Sequence, residues 1–183
     1  TKDTENLSTG SLEAVTEYTK GQELSTVGND EEAVVHYRRA TELDPNFGRA
    51  FSAWGTAAFK IGRQAEAEAQ YKKALSLLDH MTERERYRTL GVYYLAGSKN
   101  YDKAIATWKQ YVKATGDIAS SWANLGFCYE MAGDIDNAEV AYKEGLSRDG
   151  QNQSCRVNYG LMLARQNRTV EAEVQLSSAL KPD

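Results

Sequence analysis

Residues Trp122-Ala-Asn-Leu125-Gly126-Phe-Cys-Tyr129, then Ala138 and Tyr142 after a Gly133-Asp134 turn, decide how the rest of the chain is read. Trp122, Leu125 and Tyr129 fall at i, i+3 and i+7, one face of a helix. Gly126 interrupts that face, at a cost of roughly 1 kcal/mol against Ala in a helix interior. The cost is understandable if another backbone comes close there. Ala138 offers the matching small residue on a second helix, and Tyr142 fills the space beside it. Gly133 can take the left-handed conformation that ends the first helix, and Asp134 or Asp136 can cap the second. Glu139 reads as an outward position.

The same unit occurs five times. Gly21, Gly55, Gly91, Gly126 and Gly160 recur at intervals of 34, 36, 35 and 34. Ala33, Ala67, Ala104, Ala138 and Ala172 recur at 34, 37, 34 and 34. Four residues after each of these alanines stands a large side chain: Tyr37, Tyr71, Trp108, Tyr142 and Leu176. Two periods that stay in step for five turns mean stacked helix pairs, each burying its apolar sides on its neighbours.

This pattern, W-x2-L-G-x2-Y…A-x3-[FY], resembles the tetratricopeptide repeat. The resemblance implies an all-α fold: a right-handed α-solenoid of five helix-turn-helix repeats, with first helices on a concave face and second helices on a convex one. The repeats are placed at about 14–47, 48–81, 84–118, 119–152 and 153–183 of a single solenoid spanning 11–183. Residues 1–10 are polar, without a helical stripe, and read as disordered or as a linker. Ser11 is a good N-cap for the first helix. Glu17 and Lys20 depart from the repeat pattern, as suits the end of an array. Two extra residues near His80–Thr82 and one near Ser98-Lys99-Asn100 are expected in loops. Tyr111 stands where a small residue is usual, which predicts looser packing; Gly145 keeps that position small in the fourth repeat. A chain opening on Thr1 and stopping at Asp183 without a polar capping helix is expected to be a piece of a longer protein. Its last face, with Leu163, Val174 and Leu180, is expected to be covered by more of that protein or by self-association.

Composition narrows the function. The net charge is −4 and the pI about 5.3, which argues against nucleic-acid binding. No apolar run is long enough for a membrane span. Cys128 and Cys155 have no metal-ligand spacing and read as small packed residues. The chain contains no HExxH, P-loop, dinucleotide fingerprint or G-x-S-x-G, and its two histidines, His36 and His80, share no face with a nucleophile. The expectation is therefore no enzyme, no cofactor and no metal. Compartment is left open between cytoplasm and periplasm.

What remains is a surface for a protein or peptide partner. In the family the concave groove holds extended peptides or helices. Matching each repeat's Gly carries the groove positions over to Arg49, Ser52, Thr56, Phe59 and Lys60; to Glu85, Arg88, Thr89 and Val92; to Asn124, Phe127 and Glu130; and to Asn158, Leu161 and Arg165. The resemblance implies peptide binding above all at Arg49, Phe59, Lys60, Arg88, Asn124, Phe127, Asn158 and Arg165. Asn124 and Asn158 stand where family members grip a peptide backbone with an amide, and the arginines and Lys60 imply an acidic or carboxylate-ending ligand. The bland alternative is that these charges pair with neighbours such as Glu85 and Glu130. The family's chaperone-tail binders use a Lys/Asn/Lys/Arg clamp. Here Arg88 and Asn124 lie in related places, but Val92 and Ser154 replace other members, so a full clamp is not expected. Leu78–Tyr94 also resembles repeat regions appended to bacterial signalling proteins, including membrane serine/threonine kinases. That implies a regulatory segment of a larger bacterial enzyme or regulator as the alternative function.

Overall fold

The computed structural model describes residues 7–115 and 118–180. Among them are ten α-helices and no strand. In chain order these are α1 (Leu12–Thr26), α2 (Asp30–Leu43), α3 (Gly48–Lys60), α4 (Gln64–Ser76), α5 (Glu83–Val92), α6 (Tyr101–Thr115), α7 (Ala119–Met131), α8 (Ile135–Arg148), α9 (Gln153–Arg165) and α10 (Thr169–Ala179). They are the paired helices that the five-fold period predicts. By packing they form two compact units, one running to Lys99 and one from Asn100. In the first, α1 packs on α2, α2 on α3 and α3 on α4, while α3 also touches α1 and α5. In the second, α7 packs on α6, α8 and α9, and α9 on α8 and α10.

Local chemistry sets the helix ends. Ser11 Oγ accepts from the Ala14 amide at 3.1 Å. Asp134, not Asp136, caps α8 through the Asn137 amide at 3.3 Å. Thr82 and Glu85 make a reciprocal capping box at the start of α5, which satisfies two otherwise orphaned backbone donors. The turn inside each pair needs one residue in the left-handed region. Gly28, Gly62 and Gly133 supply it at φ +82°, +78° and +81°, but Lys99 and Asn167 do so at φ 51° and 60°. For a side chain such as lysine that conformation is costly.

The glycines of four first helices seat a large side chain, a ring in three of them. A Cβ on Gly126 would lie 2.6–3.0 Å from the ring of Tyr142, and one on Gly55 would lie 2.9 Å from Tyr71. Gly21 faces Tyr37 in the same way, and Gly160 faces Leu176. Sequence reasoning expected a backbone there; the nearest atoms are side chain. The alanine ladder is buried throughout, with Ala33, Ala67, Ala104 and Ala138 at 0% exposure. Full burial of a large apolar side chain stabilises by roughly 1.5–3 kcal/mol, so each seated ring is a main support of its repeat.

Several expectations need correcting. The extra residue of the third repeat does not sit only in a loop. After Val92 the helix widens into a π turn over Tyr93–Gly97, closed by the Ser98 amide on the Tyr93 carbonyl at 2.9 Å. Such a turn takes up one added residue without ending the helix. Tyr111 does not loosen its helix: it is buried and stacks edge-on against Trp108 at 5.3 Å. Leu163 is no part of an exposed end face, because it is fully buried beside Ala138, Tyr142, Tyr159 and Met162; Val174 and Leu180 are exposed. Glu139 is not simply outward. It accepts from the Tyr159 hydroxyl at 2.8 Å and pairs with Arg168 at 2.5 Å and Lys143 at 2.6 Å. Of the stretch read as linker, residues 1–6 lie outside the described residues. Residues 7–10 run along the first unit, with Leu7 packed on its core.

Candidate protein-interaction surface

In the first unit, the sequence-derived groove residues divide by exposure. Arg49 does not line an open groove. It is 4% exposed, donates from Nη2 to the Tyr18 hydroxyl at 3.2 Å, and its Nε has no partner. Arg49 and Ser52 lie three residues apart on α3, on one face, and the Ser52 hydroxyl is likewise buried without a partner. Lys60 is exposed but engaged, with Nζ 3.1 Å from Asp30 Oδ1 and 3.0 Å from Ser25 Oγ. Phe59 is half-buried and packs against the cluster of Ala58, Ala67 and Tyr71. Arg88 is half-buried on α5. Glu85 is wholly buried.

In the second unit, the first helices α7 and α9 touch and carry the rest. Asn124 and Phe127 on α7 are both half-buried. Asn158 on α9 is half-buried, and Leu161 is 43% exposed. Each pair is spaced by three residues, and Asn158 and Leu161 repeat Asn124 and Phe127 at 34 residues. One face therefore presents amide and apolar group twice, in register. Among the described residues neither amide is held by a hydrogen bond, so each is free to offer a donor and an acceptor to a peptide backbone. Arg165, by contrast, is engaged. Its Nε donates to Glu130 Oε1 at 3.0 Å, and Glu130 Oε2 accepts from the Tyr142 hydroxyl at 3.1 Å. Burial raises the Tyr142 phenol, with the Glu130 charge adding to it. Glu130 is thus anchored to the ring that Gly126 seats.

Of the four basic groove positions, Lys60 and Arg165 are spent on ion pairs and Arg49 is buried. This matches the bland alternative for those charges and weakens the expectation of a positive lining. The signal for the amide and apolar pairs was in the sequence, as the 34-residue repeat of Asn followed by a large apolar side chain. The burial of Arg49 had no such signal, because it depends on Tyr18, 31 positions earlier.

Cys128 and Cys155 are free and buried, and burial pushes their thiols up to about 12 and about 11. Neither is a thiolate at neutral pH, as expected of packed residues. Among the described residues no group of three or more His, Cys, Asp or Glu is placed to hold a metal, and no helix is long and apolar enough to cross a membrane.

Comparison with known proteins places these features. Sequence profiles described as tetratricopeptide repeat match residues 18–47 and 89–152. The chain is 30% identical over 106 residues to the Hsp70-Hsp90 organizing protein of Triticum aestivum, which covers 57% of this chain and 17% of that protein. It is 24% identical over 154 residues to tetratricopeptide repeat protein 8 of Caenorhabditis elegans, covering 83% of this chain and 30% of that protein. The chain thus spans less than a third of the length of these relatives. Among solved structures, a thermophilic tetratricopeptide-repeat protein from Thermus thermophilus superposes with a TM-score of 0.70 at 21% identity, covering 91% of this chain and 90% of that one. A tetratricopeptide-repeat protein from Parabacteroides merdae gives 0.68 at 14% identity, covering 91% and 64%.

Proposed function

The chain belongs to the tetratricopeptide-repeat family, and on that premise we propose that it is a non-catalytic interaction scaffold that holds an extended peptide of a partner protein on its first helices. Proteins of this family generally mediate protein–protein interaction, and the family is typically non-catalytic. The observation that carries the finer reading is the doubled pair Asn124/Phe127 and Asn158/Leu161 on α7 and α9, with both amides uncommitted. An extended backbone repeats its donor and acceptor along one side every two residues, so two fixed amides read its course and two apolar groups take alternate side chains. The wheat relative, named for organising Hsp70 and Hsp90, supports a partner that is itself a protein. Of the sequence-derived positions in the first unit, Phe59 and Arg88 are half-buried and contribute to the surface in this reading, while Arg49 is buried and Lys60 is paired; in the second unit Arg165 is paired with Glu130. Because Lys60 and Arg165 are already paired, the ligand is selected by backbone and apolar contacts more than by acidity.

The test is capture of a partner with the purified chain as bait, followed by nuclear magnetic resonance mapping of the minimal bound peptide. Shifts centred on the side-chain amides of Asn124 and Asn158 are expected. Shifts confined to α8 and α10 would move the site to the second helices. The other reading, a regulatory segment of a larger enzyme or regulator such as a serine/threonine kinase, uses the same surface and differs in the domain joined to it.

A further inference from the structure

Residues Leu7–Gly10 lie outside any helix, yet they touch both the first repeat and, at Glu85, the third. Leu7 packs against the buried cluster that includes Ala14, Tyr18 and Phe47. The Thr9 hydroxyl donates to Asp44 Oδ2 at 2.5 Å, at the junction of α2 and α3. The Ser8 main-chain amide donates to Glu85 Oε1 at 3.1 Å, 77 residues further along the chain. A lead-in that only started α1 needs contact with α1 and α2. This one reaches α5.

One residue it meets belongs to the groove register, and another holds a second groove residue. Glu85 stands at a groove position of the third repeat, and Tyr18, on the cluster that holds Leu7, accepts from Arg49 of the second. Glu85 Oε2 accepts from the Thr82 amide and hydroxyl at 2.9 and 3.0 Å, which leaves Oε1 for the incoming main-chain N–H. A fixed carboxylate that accepts a backbone donor reads the course of a peptide and not its sequence. The fit is also incomplete. Three buried side-chain atoms of this region, Ser8 Oγ, Arg49 Nε and Ser52 Oγ, have no hydrogen-bond partner. A docked segment that leaves buried polar groups unsatisfied is held less tightly than one that fills them.

We propose that Leu7–Gly10 is an intramolecular ligand of the first unit's first-helix face, and that an outside peptide binds this face by displacing it. The inference rests on the reading of the first helices as a peptide surface. It deepens that reading by assigning the site its occupant: a non-helical segment read through one main-chain amide, with an aliphatic side chain before that amide and a hydroxyl after it. The ligand that replaces it adds an acceptor for Arg49 and Ser52.

The probe is the labelled, acetylated and amidated peptide of residues 1–10, added to the full chain. Against the chain carrying both Ser8→Pro and Thr9→Val, which lacks the two polar anchors and keeps the Ser11 cap, the probe is expected to bind at least tenfold tighter than against the unaltered chain. A probe N-methylated at Ser8 is expected to bind at least fivefold weaker. Equal affinity for the two chains, or binding to neither, overturns the proposal. Amide exchange in the unaltered chain gives a reading independent of how the variant folds. The Ser8 amide is expected to be protected relative to Gly10 and to lose protection when saturating probe is present; exchange at the Gly10 rate overturns the proposal as well. The probe is the chain's own segment, so its failure leaves the captured partner and the two asparagines untouched, and their failure leaves this result standing.

Discussion

At the scale of the residue, two kinds of position hold the repeats in shape: the seats and the left-handed turns. Gly126 has the ring of Tyr142 where a Cβ would stand. Gly126→Leu is therefore expected to destabilise the chain by about 1–3 kcal/mol, the usual cost of overpacking. Val140→Ala, at a position 56% exposed on the neighbouring helix, is expected to change the urea midpoint hardly at all. Equal midpoints would mean that the seat yields. Lys99 holds a left-handed conformation that costs an L-residue roughly 1–2 kcal/mol. Lys99→Gly removes this strain and gives back part of it as unfolded-chain entropy, so a net rise in melting temperature of a few degrees is expected. Asn167→Gly gains less, because Asn tolerates the left-handed region better than Lys. A fall in melting temperature for Lys99→Gly would show that its side chain does more than cap a turn. The seats were legible in the sequence, because Gly and Ala keep step with the large residue. The left-handed turn at Lys99 was not, since only its offset from Gly62 and Gly133 marks it.

At the scale of the element, α8, α9 and α10 are tied by one carboxylate. Glu139 receives Arg168, Lys143 and the Tyr159 hydroxyl, and Arg168 above all holds its carboxyl down to about 2. A depressed acid stabilises the fold while it is ionised. Its contribution is present above the ordinary carboxylate value near 4.5 and is lost as pH falls through about 2. Melting followed between pH 5 and pH 2 is therefore expected to show a steeper loss for the unaltered chain than for Glu139→Gln, which is less stable at neutral pH and flatter in acid. Parallel curves would mean that Arg168 and Lys143 pair as well with solvent. This hub was misread from sequence as an outward position. A charged residue on a second helix looks solvated until the following repeat brings Arg168 and Tyr159 to it. The π turn at Tyr93–Gly97 was missed for a related reason. An added residue shows in the period, but whether a loop or a helix absorbs it depends on what the helix packs against.

At the scale of the whole molecule, the proposed function rests on a surface that the fold repeats. The fold class and the repeat count were legible because five units print the same pattern. The apolar and amide half of the candidate site was legible for the same reason. The charged half was not. Lys60 finds Asp30 and Arg165 finds Glu130 across neighbouring helices, and Arg49 is buried against Tyr18; such pairings depend on side-chain reach, not on period. Because these exposed cations already have partners, binding on α7 and α9 is expected to depend only weakly on added salt, whereas a ligand held by unpaired charges loses affinity as ionic strength rises. The central claim is that uncommitted amides on adjacent first helices hold a partner's backbone. Its most direct test is calorimetric titration of the captured partner peptide into the unaltered chain and the Asn124→Ala, Asn158→Ala double variant, with melting temperature measured alongside. The account predicts a loss of at least tenfold in affinity with the melting temperature unchanged within about 2 °C, since neither amide supports the fold. Unchanged affinity in a variant that melts like the unaltered chain would contradict it and move the partner to another surface.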